Sequence, residues 1–274
     1  MTVKDEARSQ SNLDAAIDNP GSERRSWIPA AVAAGSVLAM LVVWQFYVTL
    51  FHVSDLVLPS PARILTTFHQ YVSSGQIWPD VSASAQEFFY GYLIACVAGI
   101  LIGLLAGWYR RLGYILAPFT SFFLSVPVIS LVSLIIIWTG FGLEPKIIIV
   151  ALSSFFPIEV NTMAGVQAID RRLIRLERSY SASSLQIFRT LALPSAVPYT
   201  LAGMRIGIGH AIAATYVAEL GASANSGVGH MMVVAGDALN TAQVFVGFII
   251  FGVAGIVVTL LIGLLQKRLS HEAA

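Results

Sequence analysis

Charged side chains are scarce in this chain, making up 11% of its 274 residues where a soluble domain carries about 25%. Set beside a hydrophobic share of 56%, that shortage excludes an ordinary water-soluble domain and places the chain in a membrane. Cysteine is almost absent: Cys96 stands alone inside an apolar run. A disulfide framework and a cysteine metal site are therefore excluded, and Cys96 reads as a small packed apolar residue. The three lysines, Lys4, Lys146 and Lys267, all lack a preceding glycine. No G-x-x-x-x-G-K-[ST] phosphate loop exists, and the chain cannot bind ATP in the usual way. Also missing are a nucleophile with a base, a metal cluster and a cofactor fingerprint, so no catalytic residue and no metal site is expected. The five histidines do not form the facing pairs that an intramembrane enzyme would need.

What the chain does have is long apolar runs. A bilayer core of about 30 Å takes about 20 apolar helical residues, and six segments qualify: Trp27 to Phe51, Phe88 to Trp108, Leu112 to about Trp138, Ile147 to about Ile169, Pro198 to about Leu220, and Ala242 to Leu265. The expected fold class is an all-α polytopic membrane protein of six transmembrane helices, with a membrane domain over 27–270. Residues 1–26 are polar, mixed in charge and too hydrophilic for a signal peptide core, so they read as a cytosolic tail. Residues 271–274 are a second, short tail.

Basic residues near span ends set orientation. Arg24, Arg25, Arg110, Arg111, Lys267, Arg268 and the five arginines of "RRLIRLERSYSASSLQIFRTLALP" (171–194) fall on one side of a six-span chain. Only Arg63 and Lys146 fall on the other. Both termini and the 171–194 excursion are therefore expected in the cytosol. Two segments outside the spans carry pattern. "LPSPARILTTFHQYVSSGQIWPDVSASAQEF" opens on proline turn signals and continues at helical spacing, which predicts a short amphipathic helix before the second span. "GASANSGVGHMMVVAGDALNTAQVF" is Gly-rich and mildly apolar, and reads as a re-entrant or interfacial piece.

Within the excursion, Ser183-x-x-Gln186 fits a capping box and starts a helix near Ser183. Leu193 precedes Pro194, which disfavours further helix and predicts an element of about two and a half turns. Leu185, Phe188 and Ala192 share one narrow apolar face. A helix that short needs something to pack against.

These residues carry a resemblance. "ERSYSASSLQIFRTLALPSAVPYTLAGMRIGIGHA" resembles the cytosolic loop of binding-protein-dependent ABC importer permeases, a Glu-Ala-Ala, three residues, Gly, nine residues, Ile-x-Leu-Pro pattern. "LSVPVISLVSLIIIWTGFG", "ALSSFFPIEVNTMAGV" and "AELGASANSGVGHMM" are similar to the nitrate, sulfonate and taurine branch, and the resemblance spans roughly residues 30 to 270. The motif is degenerate here: Arg175, Leu176 and Glu177 hold the Glu-Ala-Ala positions, Ser181 the Gly position and Leu191 the Ile position. The resemblance implies a type I importer permease whose loop is a coupling helix. Glu177, Ser181, Ala182, Ser183, Leu185, Phe188, Arg189, Leu193 and Pro194 would then meet the ATPase, with Leu185 and Phe188 as apolar anchors. It further implies two copies of a separate ATPase subunit that bind ATP and Mg, an extracytoplasmic substrate-binding protein, a second copy of this chain, and a place among the lipids of the bacterial inner membrane. The solute would be a small anion. No nucleic-acid partner is expected.

Ionisable groups inside spans are expensive and mark candidate sites. Arg205 could attract an anion or pair with Glu159 or Glu219, or it could be a structural cation at the interface. Glu219 could line a gate or orient the Gly-rich segment. His210, five residues from Arg205, lies on a rather different helix face. Phe155, Phe156, Glu159 and Asn161 surround Pro157, which would kink the span into a cavity wall. Gly203 and Gly207 permit close helix approach, inside the subunit or at a two-fold interface. The competing reading, a secondary transporter or channel without ATP, would call for internal repeats with matched broken helices, and the two halves show no convincing repeat.

Overall fold

A computed structural model describes residues 27–221 and 226–271. The expected cytosolic tail 1–26, residues 272–274 of the second tail and residues 222–225 of the Gly-rich segment lie outside the described residues. Among the described residues the ordered elements are all helical. They run α1 Trp27–Leu50, α2 Pro61–Ser73, α3 Ile77–Trp108, α4 Arg110–Ser125, α5 Val128–Thr139, α6 Leu143–Gln167, α7 Arg171–Ser179, α8 Ser184–Ile187, a π-turn Phe188–Ala192, α9 Leu193–Gly221, α10 Val228–Asp237 and α11 Thr241–His271.

Four helices are each long and apolar enough to cross a membrane: Ala31–Leu50, Ile77–Trp108, Leu143–Gln167 and Thr241–Leu264. The expected third span is two helices bent by 109°, and counting the pair as one makes five. The break falls at Val126–Pro127, where Val126 is extended at ψ 125°, as a residue before proline prefers. The remaining segment, α9, has 29 residues, but its glycines, Arg205, His210 and Glu219 leave it less apolar than those four.

α6 is the central helix, packed along most of its length between α3 and α9. Small residues permit this. Gly91, Ala95, Gly99, Gly103 and Gly107 recur every fourth position of α3 and so form one stripe. A Cβ at Gly91 would stand 2.6 Å from the Val150 Cβ, and one at Gly103 2.6 Å from the Glu159 carbonyl oxygen, so the backbones meet where a side chain would have held them apart. Gly203 and Gly207 of α9 do the same against Asn161 and Ile158. This places that pair inside the subunit. Cys96 is buried in an apolar cluster with Ala95 and Ile158, as expected for a small packed residue.

Two boundaries differ from expectation. The second span begins at Ile77 rather than Phe88, because the polar stretch before Phe88 is helical and carries buried Ser84 and Glu87. α6 is one helix through Pro157. The excursion helix does not end at Pro194: it widens into the π-turn, where the Leu193 amide bonds the Phe188 carbonyl, and continues as α9. The wider turn accommodates a proline that has no amide to donate and crowds the preceding turn. The amphipathic helix before the second span is present as α2, capped by Ser60, whose hydroxyl accepts from the Arg63 amide, with Pro61 opening the helix.

Candidate functional site

α3, α6 and α9 each have one end near the 171–192 excursion and one end away from it, and polar groups gather at both ends. At the far end, α10 starts at Gly227 with no side-chain cap of its own. Its first amides are met by side chains from other helices. The Asp80 carboxylate accepts from the Gly227 amide at 3.0 Å, the Ser84 hydroxyl from the Val228 amide at 2.8 Å, and the Glu219 carboxylate from the Gly229 amide at 2.5 Å. Ser84 in turn donates to Glu219. Lys146 donates to Glu87 at 2.5 Å and reaches the Ser226 carbonyl at 3.5 Å. Glu87 and Glu219 are each 1% exposed and Lys146 5%. Helices α3, α6, α9 and α10 are thus tied by a buried ionic and amide-capping network, and an anion-attracting helix start is filled by the chain's own carboxylates.

Glu219 thus bonds the start of α10, in the described part of the Gly-rich segment. Lys146, expected as a loop cation that marks orientation, is instead a buried partner of Glu87. Glu87, Ser84 and Asp80 were missed. Glu87 directly precedes the apolar run at Phe88, and its partner lies 59 residues away, so no local pattern pointed to the pair.

At the near end, α7 closes with Ser181 at φ 62°, in the left-handed region that glycine adopts at least cost. The Ser181 amide bonds the Arg178 carbonyl at 3.0 Å and the Ala182 amide bonds the Glu177 carbonyl at 3.1 Å, the paired bonds of a Schellman turn. Ser181 thus stands in a glycine's conformation at the glycine position of the motif. Ser183 then caps α8, and the capping box with Gln186 is complete. The Thr190 hydroxyl donates to Glu177 at 2.8 Å, which joins α7 to the π-turn.

The apolar residues of this end divide. Ile187 is buried, and Phe188 stacks edge-on against Trp108 at 5.3 Å in a cluster with Leu104, Val166, Ala192 and Ala196. Phe188, which helical spacing puts on one face with Leu185, is half-buried here, packed on Trp108 of the chain's own core. Leu185 remains outward at 59% exposure, with Tyr180 at 80% and Leu176 at 53%. Arg189 is exposed, and Leu193 and Pro194 lie in the first turn of α9.

The candidates inside the spans are not gathered in one cavity. Phe156 is buried and stacks on Phe123 at 5.1 Å, with Phe155 edge-on to it at 4.9 Å. Glu159 is 1% exposed and accepts from the Thr120 hydroxyl at 3.2 Å, its other oxygen having no partner. Asn161 donates to the Pro157 carbonyl at 2.7 Å. Among the described residues Arg205 forms no ion pair, so its expected pairing with Glu159 or Glu219 is not formed. Ala202, Ile206, Gly209 and Ala213 form an exposed stripe on α9. Arg205 flanks it beside Gly263 of α11, and His210 flanks it where its carbonyl meets Ser153 of α6.

An all-helical membrane bundle with this excursion belongs to one family by direct comparison. Residues 99–272 match the family of binding-protein-dependent transport system inner membrane components, and the chain belongs to that family as the membrane subunit of an ABC transporter. The putative aliphatic sulfonates transport permease protein SsuC of Bacillus subtilis is 33% identical over 260 residues, covering 95% of this chain and 93% of that protein. The riboflavin transport system permease protein RibX of Chloroflexus aurantiacus is 31% identical, covering 90% and 91%. In fold, the chain is similar to a subunit of an amino acid ABC transporter solved with histidines, at a TM-score of 0.55, 18% identity, and coverage of 74% and 95%. Chains in this family serve as transport permeases, not enzymes.

Proposed function

We propose that this chain forms the translocation pathway of an ATP-driven importer in the bacterial inner membrane, with both termini cytosolic. It pairs with a second copy of itself and two copies of an ATPase subunit that holds ATP and Mg. The observation that carries this reading is the build of residues 171–192. The base of the excursion is fastened to the bundle by Ile187 and by Phe188 on Trp108, while Leu185, Leu176 and Tyr180 face outward with no cover. An apolar surface on a short capped helix suits a groove in a soluble partner.

Because α8 passes through the π-turn into α9 without a flexible link, displacement of the loop tilts α9 as a rigid body. Closure of the ATPases on ATP supplies the displacement. Glu177, Ser181, Ala182 and Ser183 hold the loop's shape, Leu185 and Arg189 contact the ATPase, and Leu193 and Pro194 pass the motion onward.

The solute passes along the exposed α9 stripe between Arg205 and His210, and an extracytoplasmic binding protein delivers it. Phe155, Phe156, Glu159 and Asn161 shape the wall from behind, and Glu219 secures its far end. Arg205 favours a small anion, a class that agrees with the sulfonate permease among the relatives. The riboflavin transport permease is of nearly equal identity, which supports a reading in which the binding protein makes most of the choice of solute. The test is uptake into liposomes holding the chain, its ATPase and its binding protein. ATP-dependent uptake of an anionic solute, lowered about tenfold or more by Arg205→Ala, is the expected result. Uptake without ATP would make the chain a secondary transporter or channel, and delivery of a neutral solute unaffected by Arg205→Ala would remove the anion assignment.

A further inference from the structure

Beside the excursion lies a cleft of about 620 Å³ whose lining includes Arg110, Arg171 and Arg178 and no acidic residue. Arg171, Ile174 and Arg178 occupy one face of α7, while Arg172 and Arg175 lie outside the lining. Glu177, the acidic residue of α7, is held by Thr190, and the Asp170 carboxylate caps the helix at the Arg172 amide. Among the described residues the ion pairs are Arg63 with Asp55 and Lys146 with Glu87, so none neutralises the cleft. Arg110 also opens α4, where no side chain caps the helix and the first turn holds no acidic residue. Cations at the positive end of a helix dipole repel it unless an anion lies between.

Gln167 and Ser184 are the uncharged polar members of the lining, and the rest is apolar or aromatic, with Trp108, Tyr114, Met163, Val166 and Ile169 among it. On α4 the lining residues Arg110, Tyr114 and Ala117 share one face, and Tyr114 is 71% exposed, so cation and apolar surface lie side by side along the helix. Cations and an apolar, aromatic wall in one cleft match the two halves of an amphiphile. A soluble anion would use only the first half.

We infer that this cleft binds the phosphate headgroup of an anionic phospholipid from the leaflet on the side of the 171–192 excursion, its acyl chain lying against Tyr114, Met163 and Ile169. Basic pockets between membrane helices hold such headgroups. The inference requires only that the chain spans a membrane and does not rest on the docking role of Leu185.

Native mass spectrometry of the complex purified from membranes, titrated with phosphatidylglycerol and with phosphatidylcholine, tests it. Phosphatidylglycerol is expected to bind more tightly, and Arg110→Gln/Arg171→Gln/Arg178→Gln to weaken it toward phosphatidylcholine. The loss expected is about fivefold per arginine, or on the order of a hundredfold for all three. Arg172→Gln/Arg175→Gln, off the cleft, should leave it within about threefold of the native chain. Equal affinity of the native chain for the two lipids overturns the inference without any variant. So does equal loss in the two sets of variants, or displacement of phosphatidylglycerol by millimolar inorganic phosphate, which would assign the cleft to a soluble anion.

Discussion

The two ends of the helical bundle use polar residues in opposite ways. At the α10 end Glu87, Lys146, Ser84 and Glu219 are buried and bonded to one another or to amides, so charge is spent inside the subunit to fix how four helices meet. At the 171–192 end the arginines are exposed, local caps hold the loop's shape, and Leu185 and Tyr180 face outward. One end is complete in itself. The other is rigid and yet unfinished, which is what a contact for a separate subunit requires.

The sharpest way to break this contrast is to strand a charge at the complete end. Lys146→Met leaves Glu87 buried without its cation and is expected to cost about 3–5 kcal/mol, measured by thermal unfolding in detergent. Adding Glu87→Gln should recover most of that loss, since an uncompensated charge and not the missing pair is the source of the cost. Next comes the central packing. Gly103→Val pushes a side chain into the Glu159 carbonyl and Thr162, with an expected loss of about 1–3 kcal/mol.

Glu219→Ala removes the acceptor of the Gly229 amide and of Ser84. A loss of about 1.5–3 kcal/mol is expected in the same assay, with proteolysis near α10 rising. The smallest effect belongs to the unfinished end. Ser181→Gly relieves a left-handed residue and should stabilise by about 1 kcal/mol or less, while Thr190→Val costs about 1 kcal/mol. Both should change ATP-driven uptake more than they change unfolding; the reverse order would erase the distinction between the ends.

Much of the fold was legible because it depends on local pattern. Apolar runs marked the spans, Ser60-Pro61 and Ser183-x-x-Gln186 marked helix starts, and the position of Ser181 in the motif marked a turn that the structure places at φ 62°. The Gly91 to Gly107 stripe, though local in spacing, was not read, because its use shows only when α6 packs on it. What stayed hidden depends on distant partners. "IWPDVSASAQE" reads only as the end of an amphipathic segment before the span until Asp80, Ser84 and Glu87 find α10 and Lys146 across 59 to 147 residues. Phe188 shares helical spacing with Leu185, and only the position of Trp108 decides that one turns in and the other out. Pro194 signalled an end to the helix, yet a π-turn carried it through.

The excursion is anchored inward at Phe188 and open outward at Leu185. Leu185→Glu should be purified from native membranes beside the unaltered chain, with co-purifying ATPase quantified and thermal unfolding recorded on the same samples. At least about tenfold less ATPase is expected, at an unchanged unfolding temperature. Full retention of the ATPase, or a loss that appears only together with a collapse of the fold, would contradict it.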